Sequence, residues 1–295
     1  MPEPGECAFL ERLRRLPLHP GARGLADDCA VVPLGSETLV VTHDMMAESV
    51  HWLPGQDPVD IAWKLVAVNL SDLAAKGAEP VGVLLGYSLQ GGDADDAFQI
   101  GLSEALSAFS APLLGGDTIC WKGAVHGLTA LGRATHLPVP SRGGAQPGDT
   151  LWVTGTIGAA LAGFEALKAG DTGPASAPYR RPVPLLAEGR ALAPLVSAMM
   201  DASDGLLLDA WRIAQASGAR LVIDRNAVPI ALPNTRRDEA LRWGDDYQLL
   251  FTLPAGAALP PVPATCIGQV ERGAPALVLD GAVLDDPATL GFLHG

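Results

Sequence analysis

The stretch "VDIAWKLVAVNLSDLAAKG", residues 59–77, constrains the fold of this chain more than any other. Ile61, Leu65 and Val68 recur at helical spacing, and Gly77 stands where a helix C-cap belongs. Strand-like runs flank it: "CAVVPL" (29–34) and "ETLVVTHD" (37–44) before, "VGVLLGYSL" (81–89) after. An amphipathic pattern at 95–109 predicts another helix, "APLLGGD" (111–117) another strand, and 6–16 a short leading helix. Such alternation predicts helices packed on a sheet, in an α/β or α+β domain.

Prolines and glycines break the periodicity between residues 132 and 155, so a domain boundary is expected near residue 138. Beyond it the pattern predicts strands from Thr150, at 197–201, 219–224 and 247–254, with helices from Ala159 and over 204–218. "AGDTGPASAPYRRPVP" (169–184) is too rich in Gly, Pro and Ser to pack continuously and predicts a mobile loop. Two domains of ordinary size fit the 295 residues, and either can bury a substantial core.

A formal charge of -13 argues against general binding of nucleic acid. Cys7, Cys29, Cys120 and Cys266 form no C-x-x-C pair, which fits reduced thiols rather than zinc ligands. Neither a secretory leader nor a run of membrane-spanning length is visible, so a cytoplasmic protein without membrane attachment is expected.

The chemistry concentrates in aspartates. Asp44, Asp117 and Asp201 each close an apolar strand-like run, whereas Asp27 and Asp28 open one. Mg²⁺ takes oxygen ligands, and strand ends hold them rigidly, although aspartate is also a common turn residue. Asp72 falls only about 20° around the helix from Ile61, on the core stripe, where a carboxylate is costly unless paired or metal-bound. Lys76 at i+4 is the ordinary alternative partner. In "MMDASDGLLLDAW" (199–211) Ser203 stands where an N-cap is expected, between Asp201 and Asp204, a place suited to phosphate or to plain capping. No P-loop, kinase catalytic loop, H-E-x-x-H or G-x-S-x-G occurs, and only four lysines are present. Phosphate chemistry here would rely on metal ions for neutralisation.

Seven segments in order carry a family resemblance: "ADDCAVV", "VTHDMMAESVHW", "AVNLSDLAAKGAEP", "GGDT", "SRGGAQPGD", "MMDASDGL" and "GDDYQLLF". Together they resemble the thiamine-monophosphate kinase family, from about residue 5 to the final "GFLHG". That family belongs to the superfamily of aminoimidazole ribonucleotide synthetase, selenophosphate synthetase and a hydrogenase maturation factor. The resemblance implies an α+β fold of two domains. Residues 1–137 would form an α/β sandwich that binds ATP and Mg²⁺ and dimerises through its sheet, completing a barrel across the interface. Residues 138–295 would form an α/β domain completing the nucleotide and substrate site.

The implied activity is ATP-dependent phosphorylation of thiamine monophosphate to thiamine diphosphate by a cytoplasmic homodimer. By motif position, Asp27, Thr42, Asp44, Asp72, Asp117, Asp201 and Asp204 would hold several Mg²⁺ ions. Gly116, Asp117, Arg142 and Ser203 would contact the nucleotide, and His51, Asp245 and Phe292 the thiamine phosphate. Asp44, Asp117, Asp204 and Arg142 would serve catalysis, the last by steadying the nucleotide's phosphates. Asp28 has an open role: a second ion, orientation of ligands, or the turn itself. Ala26, His43, Ser49, Asp245 and Gln248 depart from the family pattern; His43 is expected on the opposite strand face, and Asp245 is one methylene shorter than the usual glutamate. Competing readings are ATP-dependent activation of an amide or carbonyl oxygen, as in the synthetase relatives, and a non-catalytic binding relative.

Overall fold

The computed structural model describes residues 6–293, with side chains from Phe9 onward. The Cys7 thiol and the last two residues of "GFLHG" fall outside the described residues. The fold is mixed α/β and built on two sheets. The first contains β1 (Ala30–Leu34), β2 (Glu37–Ala47), β3 (Ala78–Leu89), β4 (Leu113–Cys120) and β5 (Val125–Ala134), in the order β1-β2-β5-β3-β4. Helices α1 (Glu6–Leu13), α2 (Pro58–Ala75) and α3 (Asp93–Ala108) accompany it.

The second sheet holds β6 (Thr150–Thr154), β7 (Ala198–Ala202), β8 (Arg220–Ile223), β9 (Gln248–Leu253), β10 (Ala264–Glu271), β11 (Ala276–Leu279) and β12 (Ala282–Leu284). Its order is β12-β11-β8-β10-β6-β9-β7. Around it lie α4 (Ala159–Lys168), α5 (Ala177–Arg180), α6 (Leu186–Leu192), α7 (Leu206–Ser217) and α8 (Arg237–Arg242).

α2 joins the two halves. Pro58 and the Asp57 carboxylate, which accepts from the Val59 N–H at 3.0 Å, start the helix, and Gly77 at φ +60° follows its end. One face packs on the first sheet through Leu65, Leu70 and Leu73, all fully buried; the other meets α6 and β7. Backbone contact is close enough on both sides to demand glycine. A Cβ on Gly101 of α3 would lie 2.0 Å from the Val59 carbonyl oxygen, and one on Gly189 of α6 would lie 1.9 Å from that of Ala74.

Two strands outrun their apolar patterns. β2 continues to Ala47, paired with Val125, and β4 continues to Cys120, paired with Leu89, so Asp44 and Asp117 lie within strands instead of closing them. Backbone pairing, which ignores side-chain polarity, carries the ladders onward. The 169–184 segment also departs from expectation. It contains α5, buries Tyr179 and Ser176, and is tied to α2 because Arg180 and Arg181 both pair with the Asp60 carboxylate.

Candidate active site

The side chains that converge come from three directions onto the α2 seam. Strand alternation puts Thr42 and Asp44 on the face of β2 that meets α2, with His43 and Met45 on the opposite, exposed face. His43 thus points where the strand parity places it, its Nδ1 2.9 Å from the Thr129 hydroxyl. The Asn69 side-chain oxygen accepts from the Asp44 N–H at 2.9 Å, locking β2 against α2. Asp201 of β7 approaches from the second domain and accepts from the Ser71 hydroxyl at 2.5 Å. Thr42 donates to the Asp72 carboxylate.

One ligand atom each from Asp28, Asp72 and Asp201 lies within 4.8 Å of the others. Asp201 is 2% exposed, whereas Asp72 keeps partial access to solvent while surrounded by acids. Burial pushes Asp72 well above the ordinary carboxylate range, reinforced by Asp44, Asp201 and Asp28. Burial likewise pushes Asp201 up to about 7, with Asp28 adding repulsion. Among the described residues, neither Asp72 nor Asp201 meets a lysine or arginine within ion-pairing distance. Clustered carboxylates with only hydroxyl partners fit a hard divalent cation, which accepts oxygen ligands and offsets their repulsion.

Asp27, the sequence's choice as metal ligand, is engaged otherwise. Its Oδ1 lies 2.6 Å from Lys76 Nζ and its Oδ2 2.5 Å from Arg23 Nη1. Although burial opposes ionisation, Lys76 and then Arg23 hold the Asp27 carboxyl well below its ordinary range. Asp28, whose role the sequence left open, is the member of the pair that joins the cluster. Arg142 Nε donates to Asp28 Oδ1 at 2.7 Å, so this guanidinium is bound to the acid wall rather than presented alone to solvent.

Lys76 does not reach back to Asp72 as helix spacing suggested. Ser203 is likewise not the N-cap of α7. That helix begins at Leu206 after Gly205, and the Asp209 carboxylate reaches back to the Asp204 N–H at 3.0 Å. Asp204 pairs with Arg212 at 2.5 Å, and its carbonyl accepts from the Phe292 N–H at 2.9 Å. The Ser203 carbonyl accepts from the Asp245 N–H at 2.8 Å. Asp117 stands apart from the cluster on β4, exposed, with its Oδ1 accepting from the Thr118 N–H at 2.9 Å. Gly116 beside it has no room for a side chain, since a Cβ would lie 1.9 Å from the Leu85 carbonyl oxygen.

A second polar group lies along the same seam. The Lys64 ammonium, 1% exposed as a side chain, is 2.8 Å from Asp245 Oδ2 and 3.9 Å from the centre of the Tyr179 ring. It also donates to the His51 carbonyl at 3.0 Å, which accepts from the Tyr179 hydroxyl too. Tyr247 donates to Asp245 Oδ1 at 2.8 Å, and Asp245 holds φ +66°. Sequence reasoning missed Lys64, Arg212, Tyr179 and Tyr247. A signal for the first was present, because two of only four lysines fall in the apolar 59–77 segment.

The chain matches the family model "AIR synthase related protein, N-terminal domain" over residues 26–134 and "AIR synthase related protein, C-terminal domain" over 146–273. It is 37% identical to the thiamine-monophosphate kinase of Escherichia coli (strain K12), covering 91% of this chain and 90% of that one. The Caulobacter vibrioides enzyme of the same name is 35% identical over 99% of this chain and 91% of its own. Among solved structures, "AaThiL complexed with AMPPCP and TMP" superposes with a TM-score of 0.87 at 28% identity, covering 100% of this chain and 98% of that chain. With carboxylates from both matched regions, Asp28 and Asp72 from the first and Asp201 from the second, drawn into one cluster, the chain belongs to the thiamine-monophosphate kinase family.

Proposed function

We infer that the chain transfers the γ-phosphoryl group of ATP to thiamine monophosphate, giving thiamine diphosphate and ADP. The observation that carries this reading is the Asp28, Asp72 and Asp201 cluster at the domain seam, in a chain of this family. An acceptor phosphate with a second pKa near 6 is largely dianionic at neutral pH, so its oxygen needs no base. That oxygen attacks the γ-phosphorus in line, the new P–O bond forming as the bond to the β-phosphate oxygen breaks and ADP departs. Bound Mg²⁺ would supply charge neutralisation and a template for the phosphates.

The protein's part is to hold and orient. Asp28, Asp72 and Asp201 are the central ligand set, with Thr42, Asp44, Asp117 and Asp204 completing the oxygen shell around the nucleotide's metals. Asp27 is left out of that set, because it is not among the carboxylates that converge within 4.8 Å and both of its oxygens are engaged by Lys76 and Arg23, whereas Asp28 Oδ2 accepts no hydrogen bond. Gly116, Asp117, Arg142 and Ser203 receive the nucleotide, and Asp44, Asp117, Asp204 and Arg142 align its transfer. His51, Asp245 and Phe292 receive the acceptor, with Lys64 fixing the Asp245 carboxylate. Residues 1–137 supply most of the acid wall, and 138–295 close the site. The exposed apolar side chains Met45, Leu84, Leu113, Leu114 and Ile119 on the first sheet support a homodimer that covers them. Free thiols at Cys29, Cys120 and Cys266 agree with a cytoplasmic location.

The test is an assay with ATP and Mg²⁺ in which products are identified, across thiamine monophosphate, free thiamine and aminoimidazole precursors. Thiamine diphosphate from the monophosphate alone is expected. ATP binding without any phosphorylated thiamine product would overturn the reading.

A further inference from the structure

We propose that the Lys76 ammonium is a resident cation of the active site, fixed between Asp27 and Asp28 where a divalent ion would otherwise bind. The inference rests on the reading above that the acidic cleft holds divalent ions. It adds that the chain fills one cation position with its own side chain.

Lys76 has no exposed side-chain surface, and its Nζ lies 2.6 Å from Asp27 Oδ1, 2.5 Å from Asp28 Oδ2 and 3.2 Å from the Met199 carbonyl oxygen. An ammonium has three N–H donors; here it donates to Asp27 Oδ1 and to the Met199 carbonyl and is ion-paired with Asp28 Oδ2, a buried oxygen that accepts no hydrogen bond. The remaining carboxylate oxygens are taken as well: Asp27 Oδ2 by Arg23 at 2.5 Å, and Asp28 Oδ1 by Arg142 Nε at 2.7 Å. Both carboxylates are almost completely shielded from water, at 2% and 1% side-chain exposure.

Charge decides what else this wall accepts. Asp27 faces two protein cations, Lys76 and Arg23, one on each oxygen, and keeps no charge to attract a further ion, whereas Asp28, paired with Lys76 and Arg142, keeps one oxygen, Oδ2, that accepts no hydrogen bond. Asp72 and Asp201 have hydroxyl partners instead, Thr42 and Ser71, and among the described residues no protein cation pairs with either, which leaves their oxygens to metal. The aspartates therefore divide into a wall neutralised by the protein and a wall left for ions, with Asp28 at the junction.

The test counts Mn²⁺ bound per chain by the full-length protein in the presence of a non-hydrolysable ATP analogue, in the wild type and in Lys76→Met. Methionine keeps an unbranched side chain of similar length and removes the charge. One additional Mn²⁺ per chain is expected in Lys76→Met, with a larger rise in melting temperature on adding Mn²⁺ than the wild type shows. Equal counts in the two folded proteins would overturn the proposal while leaving the metal cleft intact. Wild-type protein that binds no Mn²⁺ would remove the cleft reading and this inference with it. Asp27→Asn gives a check that does not require Lys76→Met to fold. Its Mn²⁺ count should equal that of the wild type, and loss of one ion would show that Asp27 ligates metal and refute the proposal.

Discussion

Replacing Asp201 by asparagine should stabilise the metal-free protein while removing its activity. In the folded state burial raises this carboxyl from 3.8 to about 7, equivalent to ~4 kcal/mol against the charged form. The sign follows from proton binding. The folded state holds the proton more tightly, so stability is greatest below pH 4 and falls as pH rises, levelling off above about 7. Roughly 3 kcal/mol of that loss lies between pH 5 and pH 8. Asparagine retains an oxygen to accept from the Ser71 hydroxyl and carries no charge toward Asp28.

Thermal melts in EDTA should therefore show wild-type protein losing stability from pH 5 to pH 8 more steeply than Asp201→Asn. At pH 8 the variant should melt roughly 5–10 °C higher, for a gain of about 2–4 kcal/mol. Mg²⁺ with nucleotide should stabilise the wild type strongly and the variant little, and turnover in the variant should fall at least ~100-fold. An Asp201→Asn protein less stable than wild type at pH 8 in EDTA would refute the argument, because its charge would then be held by a favourable partner.

Three other changes read different parts of the fold. Buried His126, stacked on Trp52 and Tyr87, has its pKa lowered by burial to about 4, so it stabilises the fold above pH 6.5 and that contribution is lost as pH falls toward 4. His126→Phe should reduce the acid sensitivity of the melting temperature over that window by up to ~3 kcal/mol, and an unchanged slope would exclude the histidine as its source. Gly101→Ala forces a Cβ to within 2.0 Å of the Val59 carbonyl, where no flexible side chain can move away, and should cost at least ~2 kcal/mol in urea unfolding. Asp60→Asn leaves Arg180 and Arg181 without their shared carboxylate; a loss of about 2–4 kcal/mol and faster proteolytic cutting within 169–184 are expected.

α2 was legible because its apolar positions repeat over five turns of helix, and the same arithmetic placed Asp72 on the buried stripe. Which of Asp27 and Asp28 turns into the cluster was not legible. Adjacent residues differ only through the local turn and through partners far away in sequence, Lys76 and Arg142. Lys76 itself escaped the i+4 rule for a local reason. The helix ends at Ala75, and Lys76 leaves the helical backbone at φ -107° and ψ 4°, so helix geometry no longer aims its side chain. Ser203 failed as a cap because α7 begins three residues later, at Leu206. The 169–184 segment looked unpacked because its anchor, Asp60, lies more than a hundred positions earlier.

A helix covered on both faces gives its polar side chains no route to solvent, so each one must meet a partner built for it. Lys64, Asn69, Ser71 and Lys76 of this region are all buried, and each reaches across to another element: Asp245, the Asp44 backbone, Asp201, and the Asp27–Asp28 pair. One rigid helix thus sets the spacing between the proposed acceptor end and the acid wall. Lys64 and Asp72 are eight residues apart, about 12 Å along the axis at 1.5 Å per residue. An acceptor held at Asp245 and reacting beside Asp72 must span on the order of that length. On the proposed reading, that length suits an extended two-ring phosphate ester better than a free phosphate or a single small ring, and the rigid helix rather than a loop would set it.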